Sequence, residues 1–331
     1  MPAPETLSTG LIQVFRKSED AIRAELGAGL LAPHATISPK YLYDALGSRL
    51  FAAICELPEY YPTRTEAAIV ETHMAEIAAA AGQGATLIDL GAGNCAKAAR
   101  LFPTLQPRHY VPVDISVDFL RDAVALLHQR FPHMPITGVG LDFSHALDLP
   151  DVIDKTGRLF FYPGSSIGNF TPTEAENFLR GLHAACHGDG GLLIGVDLVK
   201  DASLLDAAYD DALGVTAAFN RNLLLHLNAL LGADFDVRDW RHRGFFNAGQ
   251  SRIEMHLEAM RDVRVGWRGG ERRFAAGERI HTENSYKYTH AGFVQLLERA
   301  GFGEIKIWSD PQTWFMLCHA RALPASQTAF R

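Results

Sequence analysis

ATLIDLGAGNCAK, residues 85–97, is the stretch that decides the fold. Its first six residues are a short, mostly apolar run that predicts a buried strand, and GAGNCA at 91–96 follows without a break. Glycines at a strand-to-helix turn allow positive φ and let a ligand approach the backbone closely. The pattern GxGxxG/A is a weak signal by itself, because a plain tight turn also uses glycine. Between a predicted strand and a predicted helix, it indicates the first turn of a nucleotide-binding α/β sheet.

Four further apolar runs extend that strand into a sheet, and each is separated from the next by a helical or loop segment. Such nearly continuous runs are typical of parallel strands that are covered on both faces. They are HYVPVDI (109–115), PITGVGLDF (135–143), RLFFYPG (158–164) and GLLIGVDL (191–198).

Two runs near the end of the sequence lie much closer together. EIKIWSD and TWFMLCHA predict strands over about 303–309 and 313–320, with only a few residues between them. Parallel neighbours need a long crossover, so this short connection predicts an antiparallel hairpin at the edge of the sheet.

Helical patterns lie before, within and after these strands. TPTE at 171–174 predicts a helix start, with Thr171 as N-cap, Pro172 in the first turn and Glu174 closing a capping box. A β-rich stretch near 251–285 interrupts the α/β rhythm. The other helices are predicted over 11–31, about 39–57, 63–82, about 201–211, 214–231 and 290–300.

The chain is therefore expected to be an α/β protein with a Rossmann-like sheet, N-terminal helices and an inserted α+β lobe. We expect residues 1–63 to form a helical segment that closes over a site. Residues 64–198 and 286–331 are expected to form the sheet domain, and residues 199–285 the inserted substrate-binding lobe.

Composition and charge narrow the class of protein. The net charge of −7 over 331 residues argues against a nucleic-acid partner, which would require a basic face. The four cysteines (Cys55, Cys95, Cys186 and Cys318) are scattered and predict reduced thiols, not disulfides or a zinc site. The sequence starts without a signal-peptide apolar core and has no run of membrane-spanning length. We expect a cytoplasmic monomer without a membrane partner.

Nicotinamide dinucleotides and S-adenosylmethionine both bind to a glycine turn of this kind. Asp114 ends the next predicted strand, about where an acid reaches ribose hydroxyls in either case. Three features favour S-adenosylmethionine: LDF at 141–143, where an acid next to an apolar residue suits adenine; the terminal hairpin; and Lys97, which can pair with a carboxylate. S-adenosylmethionine carries a carboxylate and no phosphate.

FFYPGSSIGNF, residues 160–170, leads to a family resemblance that covers almost the whole chain. The sequence resembles the histidine Nα-methyltransferases of ergothioneine biosynthesis, a family of S-adenosylmethionine-dependent enzymes with a class I methyltransferase sheet. The matching segments are YLYDALGSRLF (41–51), LPEYYPTRTEA (57–67), PGSSIGNF (163–170), VDLVKD (196–201), AYDDALGVTAAFNRNLL (208–224), RIEMHL (252–257) and TENSYKY (282–288). It departs from the family at the glycine turn, with Ala92, Asn94 and Cys95, and has Asp89 where Glu is usual.

The resemblance implies an activity and a set of site residues. The expected reaction converts L-histidine to its trimethylated betaine, hercynine, with three molecules of S-adenosylmethionine and without a metal. The implied cofactor contacts are Gly91, Lys97, Asp114, Asp142 and Phe143. The implied substrate contacts are Tyr43, Phe51, Tyr60, Gly164, Asn169, Tyr209, Met255, Glu283 and Ser285.

The resemblance assigns these substrate residues to different parts of histidine. Asn169 and Tyr209 hold the carboxylate, and their amide and phenol donors suit that task. Glu283 and Ser285 hold the imidazole, and residues two apart on an extended strand point to one face. Gly164 lies beside the amine. We expect no residue to be an obligatory base, because positioning and electrostatics can carry methyl transfer to a neutral amine.

Each assignment has a plainer alternative from the residues alone. Tyr60 and Met255 are also compatible with ordinary core packing, Asn169 with a turn before Thr171, and Glu283 with a solvated strand charge. Cys95 is read as a small buried filler, although a helix N-terminus lowers the pKa of an exposed thiol. His226, His242 and His256 lack metal-ligand spacing and predict exposed or core histidines.

Three other functions stay open at the level of the sequence. A related enzyme could methylate another aromatic amino acid such as tryptophan, although Glu283 and Met255 favour histidine. A nicotinamide oxidoreductase would use the same glycine turn but gives TENSYKY no purpose. An amino-acid-binding module would bind ligand without yielding a methylated product.

Overall fold

The structure is a computed structural model that describes residues 5–7, 10–14, 18–143 and 147–324. Over these residues the helices are α1 (Glu19–Leu31), α2 (Ala45–Ile54), α3 (Tyr61–Ala81), α4 (Ala96–Ala99), α5 (Phe102–Leu105), α6 (Val117–Arg130), α7 (Pro172–Ala185), α8 (Ala202–Tyr209), α9 (Val215–Leu231) and α10 (His290–Arg299). Short 3₁₀ turns cover Pro39–Leu42, Ser166–Asn169 and Val237–Asp239.

The strands over the same residues form three sheets. They are β1 (Glu5–Leu7), β2 (Leu11–Gln13), β3 (Thr86–Leu90), β4 (His109–Asp114), β5 (Gly138–Gly140), β6 (Arg158–Tyr162), β7 (Gly191–Asp197), β8 (Trp240–Asn247), β9 (Arg252–Ala259), β10 (Val263–Trp267), β11 (Gly270–Phe274), β12 (Arg279–Tyr286), β13 (Phe302–Ser309) and β14 (Phe315–Ala322).

The main sheet has the order β1-β2-β5-β4-β3-β6-β7-β14-β13. Strands β2 to β7 within it pair in parallel, whereas β14 is antiparallel to both β7 and β13. This order confirms the expected Rossmann-like α/β fold and the antiparallel hairpin at its edge. The carboxyl ends of the parallel strands meet along one edge, where such sheets bind their ligands.

Apolar side chains cover both faces of this sheet. Ile88 and Leu90 of β3 belong to a buried cluster that includes residues of α7 and α10, whereas Leu87 packs on the other face with residues of α3 and α6. Alternation along the strand places these neighbours on opposite faces. The continuous apolar character read from the sequence thus reflects burial on both sides.

Helix α7 begins as the sequence predicts. The Glu174 amide donates to the Thr171 hydroxyl at 3.3 Å, and the Thr171 amide donates to the Glu174 carboxylate at 2.9 Å. With Pro172 in the first turn, this capping box satisfies donors that the helix itself leaves open. It fixes the end of the loop 163–171 that follows β6.

Three secondary-structure predictions were wrong in extent. The helix expected over 11–31 is a strand at Leu11–Gln13, which pairs in parallel with β5, and helical only from Glu19. The strand expected over 135–143 is limited to Gly138–Gly140. The β-rich stretch expected near 251–285 begins earlier, at Trp240. An amphipathic run of three residues cannot be distinguished from part of a helix by its periodicity.

Contacts between Cα atoms divide the chain into two compact units. The first comprises Met1–Arg16, Pro62–Val199 and Lys287–Arg331 and contains the main sheet. The second comprises Lys17–Tyr61 and Lys200–Tyr286. It contains the antiparallel sheets β12-β9-β8 and β10-β11. No helix in the described part of the chain is long and apolar enough to cross a membrane.

The two connections through which the inserted segment leaves and rejoins the first unit run side by side. Val199 donates its amide to the Tyr288 carbonyl at 3.0 Å, and Tyr288 donates to the Asp197 carbonyl at 3.1 Å. The Lys287 ammonium contacts the Asp197 carboxylate at 2.7 Å, and both side chains are almost wholly buried. We refer to residues 197–199 and 287–288 as the paired connectors.

Candidate active site

The glycine turn after β3 has the backbone geometry that the sequence predicts. Gly91 and Gly93 have φ of 69° and 52°, values that favour glycine. A Cβ atom at Gly93 would meet no atom within 4 Å, and one at Gly91 would meet only the Phe143 ring, at 3.8 Å. The backbone of the turn therefore faces open space at the carboxyl edge of the sheet, as ligand binding requires.

Asp114 holds this turn in place from the end of β4. Its carboxylate accepts the Gly93 amide at 2.9 Å and the Ser116 amide at 2.8 Å. Burial raises the pKa of Asp114, and the backbone amides oppose that shift. Each carboxylate oxygen has a second lone pair, so this bracing role is compatible with binding of ribose hydroxyls.

Phe143 provides an aromatic wall beside the turn. It directly follows Asp142, close to the end of β5, and its ring contacts that of Tyr162 edge-on at 5.9 Å between centroids. Phe178 lies 6.0 Å from Phe143 and 5.1 Å from Tyr162. An acid next to an aromatic cluster at this strand end suits the amino group and the flat face of adenine.

Lys97 lies in the first turn of α4 and pairs with a carboxylate of the protein itself. Its Nζ is 2.7 Å from Glu66 Oε2, and Glu66 Oε1 accepts the Gly164 amide at 2.8 Å. The Lys97 side chain is 38% exposed, whereas that of Glu66 is 4% exposed. Lys97 therefore combines a partly exposed side chain with a fixed ammonium, four residues after Gly93, and an ammonium can bind a ligand carboxylate.

The residues of this half of the site fit S-adenosylmethionine. The open backbone at Gly91–Gly93, the acid at Asp114, the aromatic wall at Phe143 and the ammonium of Lys97 answer its ribose, adenine and carboxylate groups. All of these residues belong to the first unit.

Asp89 is a buried acid near the end of β3, two residues before Gly91. Tyr110 donates its hydroxyl to Asp89 Oδ2 at 2.7 Å, whereas Oδ1 has no hydrogen-bond partner. Burial raises the pKa of Asp89 to about 7, against the opposing effects of Tyr110 and Lys97. The native state thus retains a proton on Asp89 up to about pH 7, while the unfolded chain releases it near pH 4.

We expect this group to lower the stability of the protein as the pH rises from about 4 to 7, by up to about 4 kcal/mol. The native state binds more protons than the unfolded state in that range, so stability decreases with pH. Asp89→Asn keeps an acceptor for Tyr110 and abolishes the titration, so its Tm should fall less between pH 5 and pH 8 than that of the wild type. The exposed Asp118→Asn serves as the control. Parallel Tm–pH curves for Asp89→Asn and the wild type would contradict this account.

Cys95 is a buried filler, as the sequence reading expected. It is 0% exposed, and burial raises the pKa of its thiol to about 12. Its φ of 60° places it in the left-handed region at the start of α4. The proximity of the helix N-terminus does not offset desolvation here.

In the second unit, the four aromatic residues that are predicted to contact the substrate lie close together. The Tyr43 ring is 5.4 Å from that of Phe51, Phe51 is 6.1 Å from Tyr60, and Tyr60 is 6.1 Å from Tyr209. Edge-to-face contacts dominate, a preferred geometry of aromatic pairs. Burial raises the pKa of Tyr60 well above its usual value, with Tyr209 and Glu283 among the further causes. The four predicted aromatic residues are therefore one connected cluster.

Strands β12 and β9 carry three further residues that are predicted to contact the substrate. Glu283 is the register partner of Met255, so the two side chains lie on one face of the sheet, and Ser285 follows two residues along on the same strand. All three are buried, with exposures of 8% for Glu283, 4% for Ser285 and 1% for Met255. Glu283 is thus not the solvated strand charge that the plainer alternative proposed.

A β-bulge at Thr282 sets this orientation. The register shifts between His281 and Glu283, and the Thr282 hydroxyl donates to Asn220 Oδ1 at 2.8 Å. Without the extra residue, Glu283 would face the opposite side of the sheet.

Tyr209, at the end of α8, contacts both the aromatic cluster and Ser285 of β12. Its hydroxyl donates to Ser285 Oγ at 2.8 Å. A serine hydroxyl that accepts one hydrogen bond can still donate through its own O–H. This direction suits a donor toward an imidazole nitrogen.

Asn169 and Gly164 belong to the first unit, not to the one that holds the other predicted substrate residues. Asn169 ends the 3₁₀ turn Ser166–Asn169 and is half-buried, two residues before the Thr171 cap. Gly164 has φ of 76°, and a Cβ there would lie 3.0 Å from Lys97 Nζ.

Of the three histidines considered as metal ligands in the sequence, His242 is buried, and His226 and His256 are half-buried. His242 donates from Nε2 to the Tyr209 carbonyl at 2.8 Å and accepts from the Asn220 amide at Nδ1 at 2.9 Å. Burial lowers the pKa of His242. His226 bonds the Tyr41 carbonyl at 2.8 Å, and His256 bonds Glu254 at 3.0 Å. Among the described residues, no group of three or more His, Cys, Asp or Glu side chains is arranged to hold a metal.

Sequence reasoning missed two residues of these clusters. Glu66 joins Lys97 to Gly164, and Phe219 contacts the rings of Tyr43 at 5.5 Å and Phe51 at 5.9 Å. Both lie within segments that carry the family resemblance, so their presence there was the available signal.

The topology separates the two cofactor classes that the glycine turn left open. Strand β14 lies antiparallel between β7 and β13, an arrangement typical of methyltransferase sheets and unusual in dehydrogenases. With the cofactor half described above, the fold is that of a class I S-adenosylmethionine-dependent methyltransferase.

Comparison with known proteins specifies the family. Residues 22–322 match the model of a family described as histidine-specific, SAM-dependent methyltransferases, and the chain belongs to this family. It is 42% identical over 312 residues to a histidine N-alpha-methyltransferase of Mycolicibacterium smegmatis, covering 92% of this chain and 96% of that protein. The corresponding protein of Mycobacterium tuberculosis is 39% identical, covering 88% and 91%. Ergothioneine biosynthesis protein 1 of Neurospora crassa is 31% identical, covering 81% of this chain and 31% of that protein.

Proposed function

We propose that this protein is an L-histidine Nα-methyltransferase that converts histidine to hercynine, the first step of ergothioneine biosynthesis. Three molecules of S-adenosylmethionine would each supply one methyl group. The observation that carries the proposal is the buried pair Glu283 and Ser285 on one face of β12. The hydrogen bond from Tyr209 to Ser285 links this pair to the aromatic cluster of Tyr43, Phe51, Tyr60 and Tyr209 in the same unit.

This pair suits an imidazole ring better than a purely apolar ring. A buried carboxylate gains a charge-assisted hydrogen bond from an imidazole N–H, whereas a phenyl ring offers it none. Phenylalanine would gain no such bond at this site, and tryptophan could form it only in part. Met255, the register partner of Glu283, provides an apolar contact beside it. We assign Glu283 and Ser285 to the imidazole.

The remaining groups of histidine are assigned to other residues. Tyr209 and Asn169 are proposed to bind the carboxylate through their phenol and amide donors, with the single Tyr209 hydroxyl proton turning from Ser285 Oγ to the ligand when histidine binds. Gly164 is proposed to lie beside the amine, and Tyr60, Tyr43 and Phe51 to enclose the ligand on the aromatic side. In the first unit, Gly91, Lys97, Asp114, Asp142 and Phe143 are proposed to bind the methyl donor.

Bound S-adenosylmethionine supplies an electrophilic methyl group on a positively charged sulfur. The protein then has to hold a neutral amine in line with that methyl group, which is a task of positioning and electrostatics. We propose that no side chain acts as an obligatory base. Loss of the amine's proton to water is sufficient, because each transfer consumes only the deprotonated fraction. We further propose that the enzyme works as a monomer, without a metal or a nucleic-acid partner.

The test is mass spectrometry of products after incubation of the pure protein with S-adenosylmethionine and equimolar histidine, tryptophan and phenylalanine. We expect trimethylhistidine as the main product and one equivalent of S-adenosylhomocysteine per methyl group. Asp114→Ala is the negative control, since it removes the acceptor that holds Gly93.

Other products would contradict the proposal in distinct ways. Methylated tryptophan in place of histidine would retain the reaction and overturn the substrate. Binding of S-adenosylmethionine and histidine without any product would indicate an amino-acid-binding module. Oxidation of a substrate with added NAD would indicate an oxidoreductase.

A further inference from the structure

Glu66 of α3 contacts both the Lys97 ammonium and the Gly164 backbone amide in the first unit. Its Oε2 is 2.7 Å from Lys97 Nζ, and its Oε1 accepts the Gly164 amide at 2.8 Å. A Cβ built on Gly164 would lie 3.0 Å from Lys97 Nζ, so the ammonium occupies the space that a side chain at Gly164 would need. We call Glu66, Lys97 and Gly164 the Glu66 triangle.

The fold makes room for this carboxylate at a specific position. Gly195, in the middle of β7, lies beside it, and a Cβ there would come within 2.1 Å of Glu66 Oε1. Such an overlap is far inside the contact distance of carbon and oxygen. The Glu66 residue is only 3% exposed, so its carboxylate cannot move out into solvent without disturbing the packing around it. Gly195 and Glu66 are therefore complementary in shape.

The two charged side chains of the Glu66 triangle differ in exposure, and this difference determines which of them can contact a ligand. Lys97 is the accessible member, at 38% exposure, and Glu66 is the buried one, at 4%. A buried carboxylate that holds a partly exposed ammonium restricts the conformations of a flexible lysine side chain. Lys97 therefore loses its conformational entropy on folding, so little further entropy is lost when a ligand binds.

We propose that Glu66 is a positioning residue that orients Lys97 toward the methyl donor and Gly164 toward the substrate amine. This inference rests on the proposed function, which places those two ligands beside Lys97 and Gly164. Glu66 itself touches neither ligand in this proposal. It couples the two halves of the reaction through one carboxylate, with one oxygen assigned to each.

The test uses binding of S-adenosylhomocysteine to the full-length protein, measured by titration calorimetry. Glu66→Gln keeps the acceptor for Gly164 but removes the charge that holds Lys97. We expect the Kd of S-adenosylhomocysteine to rise about 10-fold, which corresponds to about 1.4 kcal/mol. In a Lys97→Met background the same substitution should change Kd by less than about twofold, because there is then no ammonium to orient. Glu71→Gln, on the exposed side of the same helix, is the matched control.

Two further variants distinguish the roles of the two Glu66 carboxylate oxygens. One of them also serves as a substitute if Glu66→Gln does not fold. Glu66→Ala removes both contacts, so it should also raise the KM for histidine, whereas Glu66→Gln should leave that KM unchanged. Gly195→Ala displaces the carboxylate without altering its chemistry, although its Cβ would also lie 3.0 Å from the Phe315 ring, and the folded variant should weaken S-adenosylhomocysteine binding as Glu66→Gln does. If Glu66→Gln does not fold, Gly195→Ala with and without Lys97→Met gives the same comparison.

The outcomes distinguish this inference from the proposed function. If the wild type does not bind S-adenosylhomocysteine, the proposed function is wrong. If it binds, but Glu66→Gln and Gly195→Ala bind equally well, the positioning role is wrong and the proposed function stands. An equal loss of affinity in the wild-type and Lys97→Met backgrounds would show a general structural effect and would also overturn the proposal.

Discussion

Replacing Glu283 by glutamine is expected to lower kcat/KM for histidine about 100-fold. The substitution keeps the size of the side chain and removes its charge, so a charge-assisted hydrogen bond to the imidazole becomes a neutral one. Hydrogen bonds to charged groups contribute about 1.5–3 kcal/mol, and 100-fold corresponds to about 2.7 kcal/mol. The effect should be large because Glu283 is 8% exposed and little water competes for its carboxylate.

The measurement is steady-state kinetics with histidine, together with competition between histidine and tryptophan. We expect the preference for histidine to fall in Glu283→Gln, while S-adenosylhomocysteine binding stays unchanged, because the cofactor residues lie in the other unit. Glu271→Gln is a suitable control, since it alters an exposed pair with Arg264 in the same unit. A folded Glu283→Gln enzyme with wild-type kcat/KM would remove the basis for assigning this residue to the imidazole.

Replacing Lys287 by methionine is expected to reduce the free energy of unfolding by about 3–5 kcal/mol. The Lys287 ammonium lies 2.7 Å from the Asp197 carboxylate, and the two side chains are 0% and 1% exposed. The variant leaves a buried carboxylate that has lost its counter-charge. Desolvation of that charge is then no longer offset by the ion pair.

Urea and thermal unfolding of three variants test this expectation. Replacing both partners, as Lys287→Met with Asp197→Leu, should recover most of the lost stability, because an apolar pair of similar volume needs no solvation. Lys155→Met removes a comparable pair at 3.2 Å whose members are 62% and 95% exposed, and should change stability by less than about 1 kcal/mol. A loss in Lys287→Met no greater than that in Lys155→Met would show that burial does not govern the strength of this ion pair.

Much of the sheet could be predicted from the sequence because its strands are buried on both faces. Runs such as ATLIDL and GLLIGVDL have no polar alternation to confuse with a helix, and both became central strands. Leu11–Gln13 could not be predicted in the same way. Its three residues pair with Glu5–Leu7 on one side and join the main sheet through Gly138–Gly140, a contact between segments far apart in the sequence.

In the candidate site, too, features set by local spacing could be predicted from the sequence, whereas features set by contacts between distant residues could not. That Glu283 and Ser285 share a face follows from their spacing, and the structure confirms it. Their orientation toward Met255 depends on the bulge at Thr282, which the spacing does not reveal. Glu66 was missed because its partners are 31 and 98 residues away, and a glutamate in a helix is usually a solvated charge. The roles of the site residues in binding remain predictions.

The paired connectors have a consequence for how such a protein can change over time. The inserted segment Lys200–Tyr286 begins and ends at neighbouring points, where Leu198 bridges Tyr288. An insertion whose two ends meet imposes no length requirement on the strands that flank it. Its loops and strands can accumulate substitutions, or be exchanged as one piece, without altering the register of the cofactor sheet. The proposed imidazole contacts Glu283 and Ser285, which lie in this segment, can therefore vary while the strands that carry the glycine turn keep their pairing.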